Sequence, residues 1–258
     1  MSTLLTNLKA YWKLDELSGT SAADASGNGN NGTLQTNASF ISGGKINRGL
    51  LSSSSLSTTG GYDVGSIAAL DISSFPLTIS GWFRTSVSGS QLNGGMNILA
   101  TSKTSSNYSG VALWMVMGAV TGDRGKMRFN YRNNSGTDFF VQTTGTYNDG
   151  NWHFAVARIS SGGAMTLYVD NVLVGTGTTA SGTMFTSTKK MTVGTNWDLS
   201  NNSVFAGDLD EIGFWDKEVT LDEATALWNG GLGLTYPFVS QVFSPSGGVA
   251  YSAGVNMY

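Results

Sequence analysis

Cysteine is absent from this 258-residue chain and histidine occurs once. Without thiols there are no disulfides, no zinc-thiolate sites and no thiol catalysis. Charge is also scarce, at 12% of residues with a net charge of −3, so the surface must be built from Ser, Thr, Asn and Gly. That balance argues against a general nucleic-acid binder, which would want a basic stripe, so nucleic acid is not the expected partner. No Gly-x-x-x-x-Gly-Lys-Ser/Thr phosphate loop occurs. No long apolar run occurs either, and the opening MSTLLTNLKAYW has no basic-then-apolar leader, so membrane insertion is not expected. A neutral polar surface suits extracellular or assembly environments and hydroxyl-rich partners. Joined to the missing leader, it leads us to expect a protein released by lysis, as a phage particle component is, or one whose leader was removed.

What the chain does have is 40% apolar residues and 35 glycines against three prolines. It can bury a full core, and it turns often, which means many short strands. The stretch Asp149–Val174, DGNWHFAVARISSGGAMTLYVDNVLV, sets the pattern. Trp152, Phe154 and Val156 point one way and His153, Ala155, Ala157 and Ile159 the other, the period of a strand. Met165, Leu167 and Val169 alternate in the next run. Asp170-Asn171 then reads as a two-residue turn into Val172–Val174, because both residue types tolerate positive φ. Further strands are expected at Leu8–Leu14, Lys45–Leu50, Tyr62–Val64, Leu77–Arg84, Ile98–Ala100, Val111–Val116, Lys126–Tyr131, Asp138–Gln142, Lys190–Val193 and Phe205–Trp215. In Leu77–Arg84, Leu77, Ile79 and Gly81 should share a face opposite Trp82. One helix is expected after Thr220, with Glu223 completing a capping box. Its apolar face is Leu221, Ala224, Leu227 and Trp228, and Gly230-Gly231 stops it. It should lie across one end of the domain.

Four segments carry a resemblance: AYWKLDELSGTSAADASGNGNNGTL, DGNWHFAVARI, MTLYVDNVLVGT and LDEIGFWDKEVTLDEATALWNGG. Together they resemble the laminin-G-like/concanavalin A-like lectin superfamily across residues 8 to about 231. The resemblance implies an all-β, two-sheet antiparallel sandwich of jelly-roll type over residues 1–236. Residues 237–258 lie beyond the pattern and are expected to be an added strand or a docking arm, with Phe238, Val242, Phe243 and Tyr251 as its contacts.

Three kinds of chemistry are candidates. The resemblance implies calcium near Asp24, Asn28 and Asp210, with Gly27 and Gly29 as carbonyl donors and Asp208 nearby, since calcium takes six to eight oxygens from flexible loops. The plain alternative is that Asp24 and Asp210 accept backbone N–H groups and tie the ends together. Glycan binding is the second candidate. It would use aromatic faces against sugar C–H groups, from Tyr108, Trp114, Tyr131, Phe139 and Trp197, with Asn130, Asn133, Asn134 and Asn196 for hydroxyls. The alternative is that these rings fill the space between sheets. Glycoside hydrolysis is third and disfavoured. It needs two carboxyl groups held close, and Glu16, Glu211, Glu218 and Glu223, the four glutamates, do not form the Glu-x-Asp-x-x-Glu strand pattern. His153 reads as a packed residue, not a base.

The expectation is therefore a non-catalytic display or adhesion protein. By resemblance it is a phage virion component, either capsid decoration or tail fibre. It would contact other virion proteins and copies of itself, as a trimer, and cell-surface glycans. The alternative is a bacterial secreted or cell-surface glycan-binding module.

Overall fold

Alternating residues become strand after strand in the computed structural model. It describes residues 3–56, 58–65, 75–89, 94–103, 110–118, 121–184, 189–196, 198–199, 203–239, 242–243 and 249–250. In chain order the strands begin β1 (Leu8–Trp12), β2 (Ser21–Ala22), β3 (Gly32–Leu34), β4 (Ser39–Ile46), β5 (Arg48–Ser53) and β6 (Tyr62–Gly65). They continue with β7 (Leu77–Arg84), β8 (Gly95–Lys103), β9 (Gly110–Val116), β10 (Met127–Arg132), β11 (Asp138–Gln142) and β12 (His153–Ile159). After these come β13 (Met165–Val169), β14 (Val172–Thr176), β15 (Lys189–Val193) and β16 (Gly207–Trp215). Helix α1 (Leu221–Trp228) follows, then the two-residue strands β17 (Val242–Phe243) and β18 (Val249–Ala250).

The first sheet runs β14-β13-β12-β7-β16-β5-β4, with β1 also paired to β16. The second runs β11-β10-β9-β8-β15-β6-β3-β2. Among the described residues β17 and β18 pair only with each other. This is the all-β sandwich expected from the sequence. Strand β16 shares one edge between two partners, β5 at Gly207–Leu209 and β1 at Ile212–Trp215. The irregularity that permits this sits at Glu211, whose φ of 50° is left-handed.

Between the sheets lie Trp12, Ile79, Phe83, Ile212 and Phe214 of the first and Leu99, Leu113, Met115, Phe129 and Tyr131 of the second. Each such side chain removed from water contributes about 1.5–3 kcal/mol before conformational entropy is set against it. A second core covers the outer face of the first sheet. There Tyr11, Trp82, Phe154, Val156 and Trp215 meet Ala224 and Leu227 of α1. Trp82 stacks on Trp228 at 5.2 Å. The alternation read from the sequence is the cause: Leu77 and Ile79 enter one core while Trp82 enters the other.

Local chemistry behaves as read at several points. Asp170 and Asn171 take φ of 52° and 63°, forming the tight turn. Thr220 and Glu223 complete the capping box, with Glu223 Oε2 accepting from Thr220 N at 2.8 Å. Other expectations are corrected. Lys45–Leu50 is not one strand, because Asn47 at φ 54° breaks it into the β4/β5 hairpin. Helix α1 lies on the outer face of the first sheet instead of across one end, and Leu221 is exposed instead of sharing its buried face. The sandwich also extends past 236. Phe238 is buried edge-on against Tyr11 at 5.0 Å, so it belongs to the second core and not to a docking arm. The side chains of Val242, Phe243 and Tyr251 lie outside the described residues.

Candidate functional site: the open face of the second sheet

The second core leaves a clear asymmetry. The outer face of the first sheet is packed with aromatic residues, while the outer face of β8–β11 holds a cavity of about 300 Å³. Register decides which side chains meet there. Trp114 of β9 pairs with Arg128 of β10, and Asn130 and Arg132 pair with Phe140 and Asp138 of β11. Their inward neighbours Leu113, Phe129, Tyr131 and Val141 fill the core. The outward set is therefore Asn97, Trp114, Arg128, Asn130, Arg132, Asp138 and Phe140, with small residues Gly95, Gly110 and Ala112 between them.

Trp114 is half-buried and held from several sides. Its Nε1 donates to Asn130 Oδ1 at 2.9 Å. The Arg128 guanidinium stands 5.1 Å from its ring centre and 4.5 Å from that of Phe140. Arg128 Nε donates to Gln142 Oε1 at 2.7 Å, and its Nη2 donates to the same oxygen. Burial lowers the Arg128 pKa, opposed by Asp123. Gly95 is what lets the indole lie down, because a Cβ there would sit 2.0 Å from Trp114 Cε3. At the far end Arg132 Nη1 pairs with Asp138 Oδ2 at 2.7 Å. The result is an apolar ring in a shallow trough whose rim offers amide, carboxylate and guanidinium groups. An apolar plate ringed by fixed donors and acceptors complements a sugar, which has C–H patches and hydroxyl edges.

Of the glycan residues read from sequence, Trp114, Asn130 and Asn196 line this cavity. Tyr131 is corrected: it is fully buried between the sheets, its OH donates to Gly182 O at 2.6 Å, and burial pushes its pKa up to about 12. Asn133 is corrected too. Its Oδ1 accepts from Ser135 N and Thr137 N, both at 3.0 Å, and its Nδ2 donates to Ser181 O, so it shapes a loop. Phe139 packs against the inter-sheet core while Phe140 takes the outer face. Tyr108 and Trp197 lie outside the described residues. Arg128, Arg132, Asp138 and Phe140 were missed. Period-two counting across β10 and β11 would have put them on the face opposite Phe129 and Val141.

The calcium residues do not fit calcium. Asp24 Oδ1 accepts from Tyr11 N and Ser26 N, both at 3.0 Å, and its Oδ2 from Asn30 N at 2.9 Å. Asn28 presents its Nδ2 to the carbonyls of Leu8 and Lys9 at 2.9 and 3.0 Å, a donor where a cation needs oxygen. Asp210 is fully buried and its Oδ2 accepts from Ile46 N at 2.8 Å, sharing no partner with Asp24. Both aspartates accept backbone N–H groups, as in the plain alternative, but Asp24 and Asn28 tie β1 to the loop after β2, and Asp210 ties β16 to the end of β4. Among the described residues no group of three or more His, Cys, Asp or Glu could hold a metal. The four glutamates sit in different settings. Glu16 accepts from Ala23 N, Glu223 caps α1, Glu218 is exposed, and Glu211 is buried beside Tyr11 and Thr235. His153 is clamped between Asp170 at 2.7 Å and Asp149 at 3.1 Å. No helix of the described residues is long and apolar enough to cross a membrane.

Comparison with known proteins follows the same architecture. The family model described as the concanavalin A-like lectin/glucanases superfamily matches residues 57–225. A search of curated protein sequences found no match. Among solved structures, the chain is similar to the binding domain of paraclostridial mosquitocidal protein 1, with TM-score 0.64 and 16% identity over 88% of this chain and 53% of that one. It is also similar to domain 4 of AbnA, a GH43 extracellular arabinanase from Geobacillus stearothermophilus in complex with arabinotriose. There the TM-score is 0.62 and the identity 18%, over 88% of this chain and 98% of that one. A third is the ligand-binding domain of botulinum neurotoxin serotype D in complex with N-acetylneuraminic acid, with TM-score 0.58 and 11% identity over 88% and 51%. The chain thus spans about half the length of the toxin domains and nearly all of the arabinanase domain. At these identities the likeness is one of fold.

Proposed function

The chain belongs to the concanavalin A-like lectin/glucanase superfamily, and from that premise we propose that it is a glycan-binding module whose contact surface is the outer face of β8–β11. The observation that carries this is Trp114 lying in a trough opened by Gly95 and rimmed by Asn97, Asn130, Arg132 and Asp138. Support of a different kind comes from the arabinotriose and N-acetylneuraminic acid complexes of fold relatives. The sandwich acts as a rigid platform: one outer face is consumed by packing, and among the described residues the other is left to meet a ligand. The role is binding without turnover, since no described carboxylate pair faces this cavity. A glycan array on the intact chain, followed by calorimetry with wild type and Trp114→Ala, tests it. Specific binding lost in the variant supports the reading, and silence across the array sinks it.

The finer placement belongs to the same proposal. A low-charge surface of hydroxyl and amide groups suits display on a phage virion, as capsid decoration or tail fibre, in trimers of this chain. The segment after Val239, with Val242, Phe243 and Tyr251, would dock on other virion proteins. The alternative location is a bacterial secreted or cell-surface adhesion protein. Imaging the intact assembly that carries this chain separates the two, and truncation after Val239 tests the docking.

A further inference from the structure

A second cavity, of about 270 Å³, lies at the end of the first sheet where the ends of β5, β7 and β16 meet the loop before β12. We propose that it is a second, independent sugar subsite, which takes one neutral ring through a vicinal diol and makes the module bivalent. Arg84 and Asp208 form its polar wall and are a cross-strand pair. Both Arg84 Nε and Nη2 donate to the same oxygen, Asp208 Oδ2, at 2.9 and 2.6 Å. Among the described residues that leaves Asp208 Oδ1 without a donor and Arg84 Nη1 without an acceptor. The pair thus keeps one fixed acceptor and one fixed donor for a ligand, groups that the hydroxyls of a sugar diol satisfy.

The pair is preorganised. Trp152 supports the guanidinium at 4.8 Å, and Arg84 Nη2 also reaches Gly43 O at 3.4 Å. The loop before Trp152 is pinned by Asp149 accepting from Asn151 N and by Gly150 N donating to Thr85 O, both at 2.9 Å. Leu51 and Val87 add apolar wall for C–H groups, and Ser54 and Ser86 are exposed hydroxyls at the rim. Because the Arg84 and Asp208 charges cancel, the site selects a neutral ring over an anionic one. It shares no residue with the Trp114 face.

The test is amide-resolved NMR titration of the full chain with D-galactose, D-mannose, L-arabinose and N-acetylneuraminic acid. It is done on wild type, Trp114→Ala, Asp208→Ala and Ser86→Trp, the last a plug at an exposed rim position. The inference expects shifts at Gly150, Gly207 and Ser54 with at least one neutral sugar. These should persist in Trp114→Ala and weaken about tenfold or more in Asp208→Ala and Ser86→Trp. If Asp208→Ala fails to fold, Ser86→Trp decides. No shifts at these amides, shifts that vanish with Trp114→Ala, or shifts with N-acetylneuraminic acid alone would overturn it. Loss of array binding in Trp114→Ala bears only on the first face, so failure of either site is read separately.

Discussion

Asp210 and Glu211 are consecutive on β16 and both are withdrawn from water, at 0% and 1% exposure. Both faces of the first sheet are covered, so neighbouring acids on β16 can both be buried, and the left-handed backbone at Glu211 marks the irregularity of that strand. Desolvation, joined by repulsion from Glu211, pushes Asp210 up to about 9. Desolvation likewise pushes Glu211 up to about 8, against the hydroxyls of Thr235 and Tyr11. The folded state therefore holds protons that the unfolded chain releases near pH 4, so stability falls as pH rises from there through 8–9. The slope approaches about 1.4 kcal/mol per pH unit for each group that remains protonated. Urea unfolding across this range should show maximal stability in mild acid. Glu211→Gln should flatten the decline, and a rise in stability with pH would refute the assignment.

His153 adds a smaller effect of the same sign. Burial pulls its pKa down, but hydrogen bonds to Asp170 and Asp149 outweigh this and the net shift is upward. Its contribution is full below the ordinary imidazole value of about 6.5 and is lost as pH rises through the folded value. As the only histidine, its ring signals can be followed without assignment. The NMR titration midpoint should lie above the ordinary value and drop in Asp170→Asn.

Gly95→Ala should separate the site from the fold. The added Cβ would lie 2.0 Å from the Trp114 ring and lift the indole out of the trough. Overpacking of this kind costs about 1–3 kcal/mol. Binding should fall as far as in Trp114→Ala while the melt stays cooperative. Unchanged affinity would mean that Trp114 is not the platform.

Calcium should leave the melting temperature where it is, and so should chelator, because the Asp24 oxygens already accept three N–H groups. Asp24→Ala strands those donors and should cost about 3 kcal/mol. A calcium-dependent rise in the wild-type melt, abolished in Asp24→Asn, would reinstate the metal.

Thr220→Ala removes a helix cap and should cost about 1 kcal/mol. Trp82→Ala, which empties the centre of the second core beneath α1, should cost about 3–5 kcal/mol. Denaturant melts that rank these two the other way would mean α1 is not held by that stack.

The sequence by itself determined most of the longer strands, the Asp170-Asn171 turn, the capping box and the opposed faces of Leu77–Trp82, because each rests on contacts or periodicities within a few residues. It also carried Trp114, Asn130 and Asn196 as binding candidates. It could not separate them from Tyr131, since an aromatic residue on a strand reads alike whether it faces a partner sheet or water. Strand pairing decided that, setting Trp114 over Gly95 and Tyr131 in the core. Tertiary structure alone also brought Arg84 to Asp208, 124 positions apart, and Asp210 to Ile46, 164 apart, and it turned Asp24 and Asn28 into ties between β1 and the loop after β2. Which face of a sheet stays open depends on what the rest of the chain lays over the other, and that is a property of the whole packing.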